Sequence, residues 1–572
     1  MVLTLCVLCV FAVKSLLFSK TERQQIMLPP LTPEQQQWVD TTLNTMTLPQ
    51  CVGQLLCSLH PRFSTADWLD LLKKVPLGSL LVRSTASADL RAQLQVLQEN
   101  SAVPLLATAD LEHGAIALTD GTEFPWLMGA GAANHAELVA LMGQATAAEA
   151  RYAGIHWTFS PVIDLNYNFN NPITNIRAFS DQPERVIRLA TAFVRGLQAE
   201  GRLAATAKHF PGDGMDDRDQ HLATTVNNLP FEQWQATYGR VWRAIIEAGV
   251  MAIMPGHISL PAYQGFANRP EDAPPATLSP QLLNDLLRAE LGFDGLLISD
   301  ASGMIGMTSR VPTEERAVAS IKAGLDVYLF PDTLKDFERL VQAVEQGRLS
   351  EERVRQAARR VLELKARLNL HRDPFGPQPS AADKSHYRQA AQTMADKSTT
   401  LLRSDGLPSL NLAPGSRVLT VTIGQLSPFN KFMPQLDLDA FDDELRRRGF
   451  EVEHLLNPED DVLQAKAAEA DAVFLNLMAL PYMVLGTVRN LVGHLGHWYW
   501  RTIFVDFPQT RFTSFGHPYV LHEMPHLPNL LVAYGNSDVS QRAAVKVWLG
   551  EIEPQGDCPV RLPKITIQPL PE

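Results

Sequence analysis

Short runs of apolar residues alternate with amphipathic stretches along most of the chain. Between residues 77 and 330, continuous apolar runs indicate parallel strands that are buried on both faces. The amphipathic stretches between these runs indicate helices that cover the strands. The predicted strands are Leu77–Arg83, Val103–Ala109, Ile155–Asp164, Leu203–Lys208, Val250–Pro255, Gly295–Ser299 and Leu325–Phe330.

The repeated order of strand and helix favours one fold class. So many units within about 330 residues are typical of a (β/α)8 barrel. The alternative is an open doubly wound sheet, but no Gly-x-Gly-x-x-Gly phosphate loop follows the first predicted strand. We therefore predict an α/β protein with a TIM-like (β/α)8 barrel over residues 28–370. Its first helix is predicted to be capped by Thr32, with Pro33 at the first helical position.

A second series of strands and helices follows a proline-rich connector. This pattern predicts a linker over residues 371–386 and a smaller α/β sandwich domain over residues 387–572. The predicted strands are Arg417–Ile423, Ala472–Met478, Thr502–Phe507 and Leu530–Tyr534. The predicted helices are Tyr387–Leu402, Phe441–Arg448, Val462–Ala470 and Ser540–Leu549.

Composition and charge narrow the class of partner. A formal net charge of −12 argues against nucleic acid, which would require a basic stripe. The five cysteines show neither metal-ligand spacing nor a disulfide framework. Residues 1–27 form an apolar extension of uncertain status, because they lack the charged start and cleavage site of a secretory signal. The location stays open, with the cytoplasm favoured over secretion or a membrane anchor.

The polar stretch Lys208–His221 directly follows a predicted buried strand. Strand, abrupt turn and polar loop are typical of the way a barrel presents catalytic groups at one rim. Within this stretch, a carboxylate at Asp219 precedes His221 by two residues, which suits an Asp–His acid/base pair. Gly212 and Gly214 are predicted flexible points between the two ends of the stretch.

Other polar residues follow the ends of the predicted strands. Charged groups at one rim suit a polyhydroxylated ligand, because charge-assisted hydrogen bonds are the strong ones. The candidates are Asp110, Glu112, Asp164, Arg177, Lys208, His209, His257 and Asp300.

Each candidate also has a purely structural interpretation. Asp300 could cap the following helix, His257 could be a satisfied turn histidine, and Arg177 could form an ion pair. Asp164 could hold loops together. The His and Asp residues of the 209–221 stretch lack metal-ligand spacing, so no metal and no cofactor is predicted.

Several segments together resemble family 3 glycoside hydrolases of the β-N-acetylhexosaminidase type. The resemblance rests on Lys208-His-Phe-Pro-Gly-x-Gly followed by Asp219-x-His221, and it covers the chain from about residue 30 onward. Further matching segments are Asp110-Leu-Glu-His-Gly, Phe159-Ser-Pro-Val-Ile-Asp, Asn175-Ile-Arg-Ala-Phe, Met254-Pro-Gly-His, Ile298-Ser-Asp-Ala, Thr400-Leu-Leu-Arg-Ser-Asp and Ser514-Phe-Gly-His-Pro-Tyr.

The resemblance implies a role for each matching residue. Asp300 would be the nucleophile of a retaining reaction, and His221 would be the general acid/base, supported by Asp219. The sugar hydroxyls would be bound by Asp110, Arg177, Lys208 and His209. The implied activity is exo-hydrolysis of terminal β-linked N-acetylglucosamine through a covalent glycosyl-enzyme, which would serve cell-wall (peptidoglycan) turnover.

The sequence departs from the family pattern at several positions. Asp213 replaces a histidine, Gln220 stands where serine is common, and His113 occupies a usual glycine. Ala115 and Ile116 stand where the family often has an arginine, directly after its Gly-Gly pair. These departures concern the side of the pocket that would face the leaving group, so the sequence does not identify the leaving group of the natural substrate. A phosphorylase acting on β-N-acetylglucosaminides or β-glucosides, a β-glucosidase and a non-catalytic sugar-binding protein are the alternatives, and the oligomeric state is open.

Overall fold

A computed structural model describes residues 28–59, 64–404, 407, 410, 412–424, 438–480 and 498–563. The predicted apolar extension, residues 1–27, lies outside this range. The first described helix begins as expected. The Thr32 hydroxyl accepts a hydrogen bond from the Gln35 N–H (3.2 Å), and the Gln35 side chain accepts one from the Thr32 N–H (2.9 Å). Within the described ranges, no helix is both long and apolar enough to cross a membrane.

The first part of the chain is built on parallel strands. The strands are β1 (Leu56–Leu59), β2 (Ser79–Leu81), β3 (Leu106–Ala109), β4 (Trp157–Thr158), β5 (Thr206–Phe210), β6 (Thr225–Val226), β7 (Ala252–Pro255), β8 (Ile258–Ser259), β9 (Leu296–Leu297) and β10 (Tyr328–Leu329). One sheet has the order β10-β1-β2-β3-β4, a second has the order β5-β7-β9, and β6 pairs with β8.

Parallel bridges connect the five-stranded and the three-stranded sheet at both ends. Trp157 in β4 pairs with Ala204, just before β5, and Ile298, just after β9, pairs with Val327, just before β10. Buried apolar residues fill both faces of these strands, as expected for a parallel sheet that helices cover. The result is a curled parallel sheet whose strand ends lie around one rim.

Helices lie between the strands as the amphipathic pattern predicts. The α-helices are Pro33–Thr45, Leu48–Gln54, Thr65–Lys74, Ser87–Glu99, Leu127–Ala133, Ala136–Ala153, Pro183–Gln198, Phe231–Ala236, Tyr238–Glu247, Pro261–Gln264, Ile305–Thr308, Arg316–Ala323, Thr333–Glu345 and Glu351–Arg367, and Gln281–Glu290 is a π-helix. Short 3₁₀ turns are Asn175–Arg177, Ala199–Gly201, Pro270–Asp272 and Ala276–Leu278.

The second part of the chain forms a separate six-stranded sheet with the order β11-β16-β15-β14-β12-β13. Its pairs are parallel except for β11, which runs antiparallel to β16. The strands are β11 (Thr400–Ser404), β12 (Arg417–Ile423), β13 (Glu451–Leu456), β14 (Ala472–Leu477), β15 (Thr510–Ser514) and β16 (Asn529–Val532). The helices are Ala381–Ser398, Asp439–Arg446, Asp460–Glu469, Ile503–Asp506, Val520–Glu523 and Asp538–Trp548, and Tyr499–Arg501 is a 3₁₀ turn.

One strand prediction in this part is wrong. Residues 502–507 were expected to form a strand, but Ile503–Asp506 is a helix and the strand lies further on, at β15. In a strand, Ile503 and Val505 would share a face. Instead Ile503 is buried whereas Val505 is 68% exposed, so the apolar run does not fit an alternating pattern.

The predicted helix over residues 387–402 also needs correction. It begins earlier, at Ala381, because Ser380 and Asp383 form a capping box at its start. It ends at Ser398, and residues 400–404 form the strand β11 instead. Besides β11 and β15, the strands β1, β6, β8 and β13 were not predicted.

Residues 557–561 pack back onto the first part of the chain. Arg185 donates to the carboxylate of Asp557 and to its backbone carbonyl. The Ser180 hydroxyl donates to the Pro559 carbonyl, and the Asp181 carboxylate accepts from the Arg561 N–H at 2.9 Å. These contacts attach residues 557–561 to the loop and helix that follow Arg177.

A buried carboxylate beside β10 ties two helices to the sheet. Asp326 is fully buried and accepts hydrogen bonds from Arg288 (2.8 Å), Arg353 (2.9 Å) and Arg360 (3.0 Å). It also accepts from the Leu297 N–H at 3.0 Å. Burial raises the pKa of Asp326, but the three guanidinium groups outweigh this effect and hold the pKa below its ordinary value.

We predict that Asp326→Asn lowers the free energy of unfolding by about 3–5 kcal/mol, because three guanidinium groups lose their shared charge partner. Thermal or urea unfolding measures this change. Asp70→Asn is the control, because the Asp70–Lys73 pair is 68% and 75% exposed and should leave the melting temperature unchanged. Equal melting temperatures for both variants would contradict the assignment of Asp326 as a structural hub.

Candidate active site

A cavity of about 470 Å³ opens at the rim where the parallel strands end. Of the residues selected from the sequence, it brings together Asp110, Arg177, Lys208, His209, His221 and Asp300. Asp219 lies behind the cavity wall, in contact with His221. The predicted site residues therefore lie at one place, although they are spread over almost 200 positions of the chain.

Asp300 follows β9 and lies in the cavity wall. Its Oδ1 accepts a hydrogen bond from the Ala301 N–H at 2.7 Å. Its Oδ2 is buried and has no hydrogen-bond partner among the described residues, and it lies 4.0 Å from His209 Nε2. A buried carboxylate oxygen without a partner is unusual in a folded protein. This oxygen is thus available to a molecule in the cavity.

The charge state of Asp300 follows from its neighbours. Burial raises the pKa of this carboxyl, but His209, His257 and the Ala301 N–H outweigh burial, so the pKa lies below its ordinary value. Asp300 is therefore ionised at neutral pH. An ionised carboxylate with one free oxygen has the properties of a nucleophile.

His209 is held in place by Asp164. The two oxygens of Asp164 accept hydrogen bonds from the His209 Nδ1 (2.7 Å) and from the His209 backbone N–H (3.2 Å). The Asp164 side chain is completely buried and also accepts from the Asp213 N–H at 2.7 Å. This bears out the structural interpretation of Asp164 as a residue that holds loops together.

Glu112 connects the cationic residues of the cavity. Its carboxylate receives two hydrogen bonds from Arg177 (2.7 and 3.0 Å) and pairs with Lys208 Nζ at 2.8 Å. Lys208 Nζ also lies 3.3 Å from Asp110, whose side chain is half exposed. Burial raises the pKa of Glu112, but Arg177 and Lys208 hold it far below its ordinary value.

Glu112 is one of the strand-end candidates, but the family resemblance implied no role for it. Its position two residues after Asp110 at a strand end is the signal that the sequence contains. In the structure, Glu112 orients both Arg177 and Lys208. The Arg177 ion pair predicted as an alternative is present, and Arg177 also lines the cavity.

Asp219 and His221 form a close pair. One Asp219 oxygen accepts from the His221 ring Nδ1 and from the His221 backbone N–H, both at 2.7 Å. Asp219 is fully buried, whereas a quarter of the His221 side chain is exposed. The carboxylate therefore fixes the ring orientation and leaves Nε2 for a molecule in the cavity.

His257 has a structural environment. Its ring nitrogens lie 2.9 Å from the Thr277 hydroxyl and 3.0 Å from the Ala301 carbonyl, and the residue is fully buried. Burial lowers its pKa despite the nearby Asp300 carboxylate. The satisfied-histidine interpretation fits these contacts, and His257 supports the backbone next to Asp300.

Gly212 and Gly214 are close-packed positions in this structure. Both have positive φ (133° and 98°), and a Cβ on Gly212 would lie 2.1 Å from the Tyr238 ring. A Cβ on Gly214 would lie 1.9 Å from the Leu165 carbonyl oxygen. Close approach and backbone conformation therefore explain these glycines, where flexibility was expected.

One wall of the cavity is aromatic and apolar. His113 stacks on Trp126 with ring centroids 4.4 Å apart, and both residues line the cavity. Burial lowers the pKa of His113 to about 4, so its ring is neutral near pH 7. Leu480, from the second part of the chain, lines the same cavity. This wall was not predicted from the sequence.

The described residues contain no group of three or more His, Cys, Asp or Glu side chains arranged to hold a metal ion. The carboxylates of the cavity are instead paired with Lys208, Arg177 and histidine side chains.

A cavity lined by charged hydrogen-bonding groups at the rim of a curled parallel sheet has the form of an enzyme active site. Residues 47–364 match the glycosyl hydrolase family 3 N-terminal domain. The chain belongs to glycoside hydrolase family 3.

Relatives match nearly the whole chain. A protein of Cellulomonas fimi named "Beta-N-acetylglucosaminidase/beta-glucosidase" is 34% identical over 541 residues, covering 91% of this chain and 95% of that protein. The structure of a family 3 β-N-acetylglucosaminidase from Paenibacillus sp. str. FPU-7 has a TM-score of 0.80 at 28% identity, covering 91% and 100%. The structure titled "Beta-glucoside phosphorylase BglX bound to 2FGlc" has a TM-score of 0.84 at 30% identity, covering 94% and 98%.

We predict that Glu112→Gln lowers kcat/KM for an aryl β-glycoside by about 10²-fold, because Lys208 and Arg177 lose the charge that orients them. Unfolding should also become easier by about 3–5 kcal/mol, since two buried cations remain without their partner. Asp110→Asn is the matched variant. It should reduce activity while leaving the melting temperature unchanged, because Asp110 is half exposed. A wild-type melting temperature for Glu112→Gln would disprove this role.

Proposed function

We propose that the protein is a retaining exo-β-N-acetylhexosaminidase that hydrolyses terminal β-linked N-acetylglucosamine through a covalent glycosyl-enzyme. The observation that carries the proposal is that the ionised Asp300 and His221, which Asp219 orients, face the same cavity. The names of the Cellulomonas and Paenibacillus relatives support the choice of an N-acetylglucosaminide as substrate.

Each residue has a chemical role in this proposal. The free Oδ2 of Asp300 attacks the anomeric carbon, while His221 Nε2 gives its proton to the oxygen of the leaving group. Asp219 stabilises the protonated imidazole through its hydrogen bond to Nδ1. In the second step His221 takes a proton from water, which attacks the glycosyl-enzyme, so two displacements give net retention.

The sugar hydroxyls bind to the charged side of the cavity. Asp110 accepts hydrogen bonds, and Arg177, Lys208 and His209 are oriented by Glu112 and Asp164. Fixed charges of this kind discriminate strongly between hydroxyl patterns, because an unpaired buried charge is costly. In this proposal the reaction needs no metal ion and no cofactor.

The proposed architecture is a (β/α)8 barrel over residues 28–370, a linker over residues 371–386 and an α/β sandwich domain over residues 387–572. Support for the barrel comes from the order of its strands, which the bridges Trp157–Ala204 and Ile298–Val327 extend into a ring. Support for the second domain comes from its own six-stranded sheet.

Phosphorolysis is the second candidate function. A histidine acid/base admits an incoming phosphate better than a carboxylate would, because it does not repel the anion. The similarity to the β-glucoside phosphorylase structure over 94% of this chain supports this second candidate function. Phosphate would then replace water in the second displacement and give a sugar 1-phosphate.

We predict that Asp300→Asn lowers turnover of an aryl β-N-acetylglucosaminide by about 10³-fold or more, because the amide is a poor nucleophile. Steady-state rates and trapping of a glycosyl-enzyme by mass spectrometry measure this. Asp326→Asn, which lies away from the cavity, serves as a control for general loss of structure. Near-wild-type turnover of Asp300→Asn would refute the nucleophile assignment.

A panel of aryl β-glycosides of N-acetylglucosamine, N-acetylgalactosamine, glucose and xylose tests the substrate and the acceptor. We expect the highest kcat/KM for the N-acetylglucosaminide and free sugar as the product, with or without phosphate. A sugar 1-phosphate as the main product in phosphate buffer would instead establish phosphorolysis. Absence of turnover on every glycoside would exclude both functions.

A further inference from the structure

Two residues at which the sequence departs from the family pattern contact each other beside the cavity. The Gln220 side-chain amide donates to Asp213 Oδ2 at 3.3 Å. Both residues are almost completely buried, with exposures of 1% and 2%. Gln220 directly precedes His221, so this contact acts on the loop that carries the proposed proton donor.

The orientation of the Gln220 amide is fixed by the backbone. The His257 N–H donates to Gln220 Oε1 at 3.0 Å, so the amide nitrogen must face Asp213. The other Asp213 oxygen accepts from Asn171 Nδ2 (2.8 Å) and from the Gly214 N–H (2.6 Å). The ionised Asp213 carboxylate is therefore surrounded by donors and accepts hydrogen bonds at both oxygens.

The same contact connects the loop to the other side of the site. The Asp213 N–H donates to Asp164 Oδ1 at 2.7 Å, and Asp164 Oδ2 holds His209 Nδ1 at 2.7 Å. His209 Nε2 in turn lies 4.0 Å from Asp300 Oδ2. A continuous series of polar contacts therefore runs from the residue before His221 to the proposed nucleophile.

We propose that Asp213 and Gln220 are positioning residues that set the location of His221 relative to Asp300. Their hydrogen bond, here called the Asp213–Gln220 brace, ties the loop of the acid/base to the Asp164–His209 pair. The inference rests on the proposed function, because it requires His221 to transfer a proton to the leaving group.

Other contacts keep the loop folded without the brace. The Ile305 N–H donates to the His221 carbonyl (3.0 Å), and the Gly306 N–H donates to the Gln220 carbonyl (3.1 Å). The Thr225 N–H donates to the His257 carbonyl at 3.2 Å. Loss of the brace should therefore shift His221 without unfolding the loop, and a shift of about 1 Å is enough to slow a positioned reaction strongly.

The brace is sensitive to the protonation of Asp213. Burial and the Asp164 carboxylate raise the pKa of Asp213 to about 7, while His209 and the Gly214 N–H act in the opposite direction. The titratable groups around Asp213 are Asp164, His209 and Tyr238, whose hydroxyl donates to the Asp213 carbonyl at 2.6 Å. When Asp213 Oδ2 is protonated, its O–H and the Gln220 amide N–H are both donors, so they can no longer form the hydrogen bond. The brace therefore opens as the pH falls through about 7.

The test compares Gln220→Met with Gln264→Met in the full chain. Methionine keeps the length of glutamine and removes both hydrogen bonds. Gln264 is an equally buried glutamine that accepts from the Leu260 N–H (2.8 Å) and donates to the Pro274 carbonyl (2.9 Å), away from His221. It therefore controls for the loss of a buried amide.

The substrates are two aryl β-N-acetylglucosaminides, one with an unactivated phenyl leaving group and one with 2,4-dinitrophenyl, which needs no proton. For Gln220→Met we expect kcat/KM to fall about 10²-fold for the phenyl substrate and less than about 3-fold for the dinitrophenyl substrate. Gln264→Met should change neither value. The ratio of wild-type to Gln220→Met kcat/KM on the phenyl substrate should also shrink as the pH falls through about 7, because the wild-type brace opens.

The outcomes separate this inference from the function on which it rests. Equal losses on both substrates, or no loss on either, would overturn the positioning role while leaving hydrolysis intact. A ratio that does not change with pH would also overturn the brace as described. If the wild-type protein cleaves neither substrate, the proposed function itself fails.

Discussion

The hydrogen bonds of one buried carboxylate organise the candidate active site. Asp164 accepts from the ring and the backbone of His209 and from the backbone of Asp213. A fully buried carboxylate is stable only when such donors surround it. The segment that contains Asp164 therefore cannot separate from the segment that contains His209 and Asp213 without leaving the carboxylate buried and unpaired. In the proposed brace, this contact links the loop of His221 to His209, which faces Asp300.

Charge pairing extends the same constraint over the rest of the rim. Glu112 is held by Arg177 and Lys208, and both cations are largely buried beside its carboxylate. The carboxylates therefore divide into two kinds. Asp164, Asp219 and Glu112 have their oxygens occupied by protein donors, whereas Asp300 retains one oxygen without a protein donor. In the proposed function this difference separates the residues that hold the site from the residue that reacts.

The sequence predicted the residues of the site better than their connections. Asp300, His221, Lys208 and Asp110 follow strands or motifs, so their type and position were visible in the chain. The partners of Glu112 lie 65 and 96 residues away, and Asn171, one partner of Asp213, lies 42 residues away. These contacts depend on how loops pack, which local patterns do not record. The same limit explains why the strand prediction at residues 502–507 is wrong, because Ile503 is buried and Val505 is exposed although both are apolar. It also explains why β1, a strand of only four residues, was not predicted.

Leu480 belongs to the second part of the chain and yet forms part of the cavity wall, whereas the residues to which the proposed function gives a chemical role all lie in the first part. In that proposal, bond cleavage and part of the cavity wall are encoded by segments that lie far apart in the chain. A recombined or insertion-altered second half would change which molecules fit beside the reacting atoms and leave the carboxylates and histidines untouched. Substrate preference in such a chain is free to diverge without any change in its chemistry.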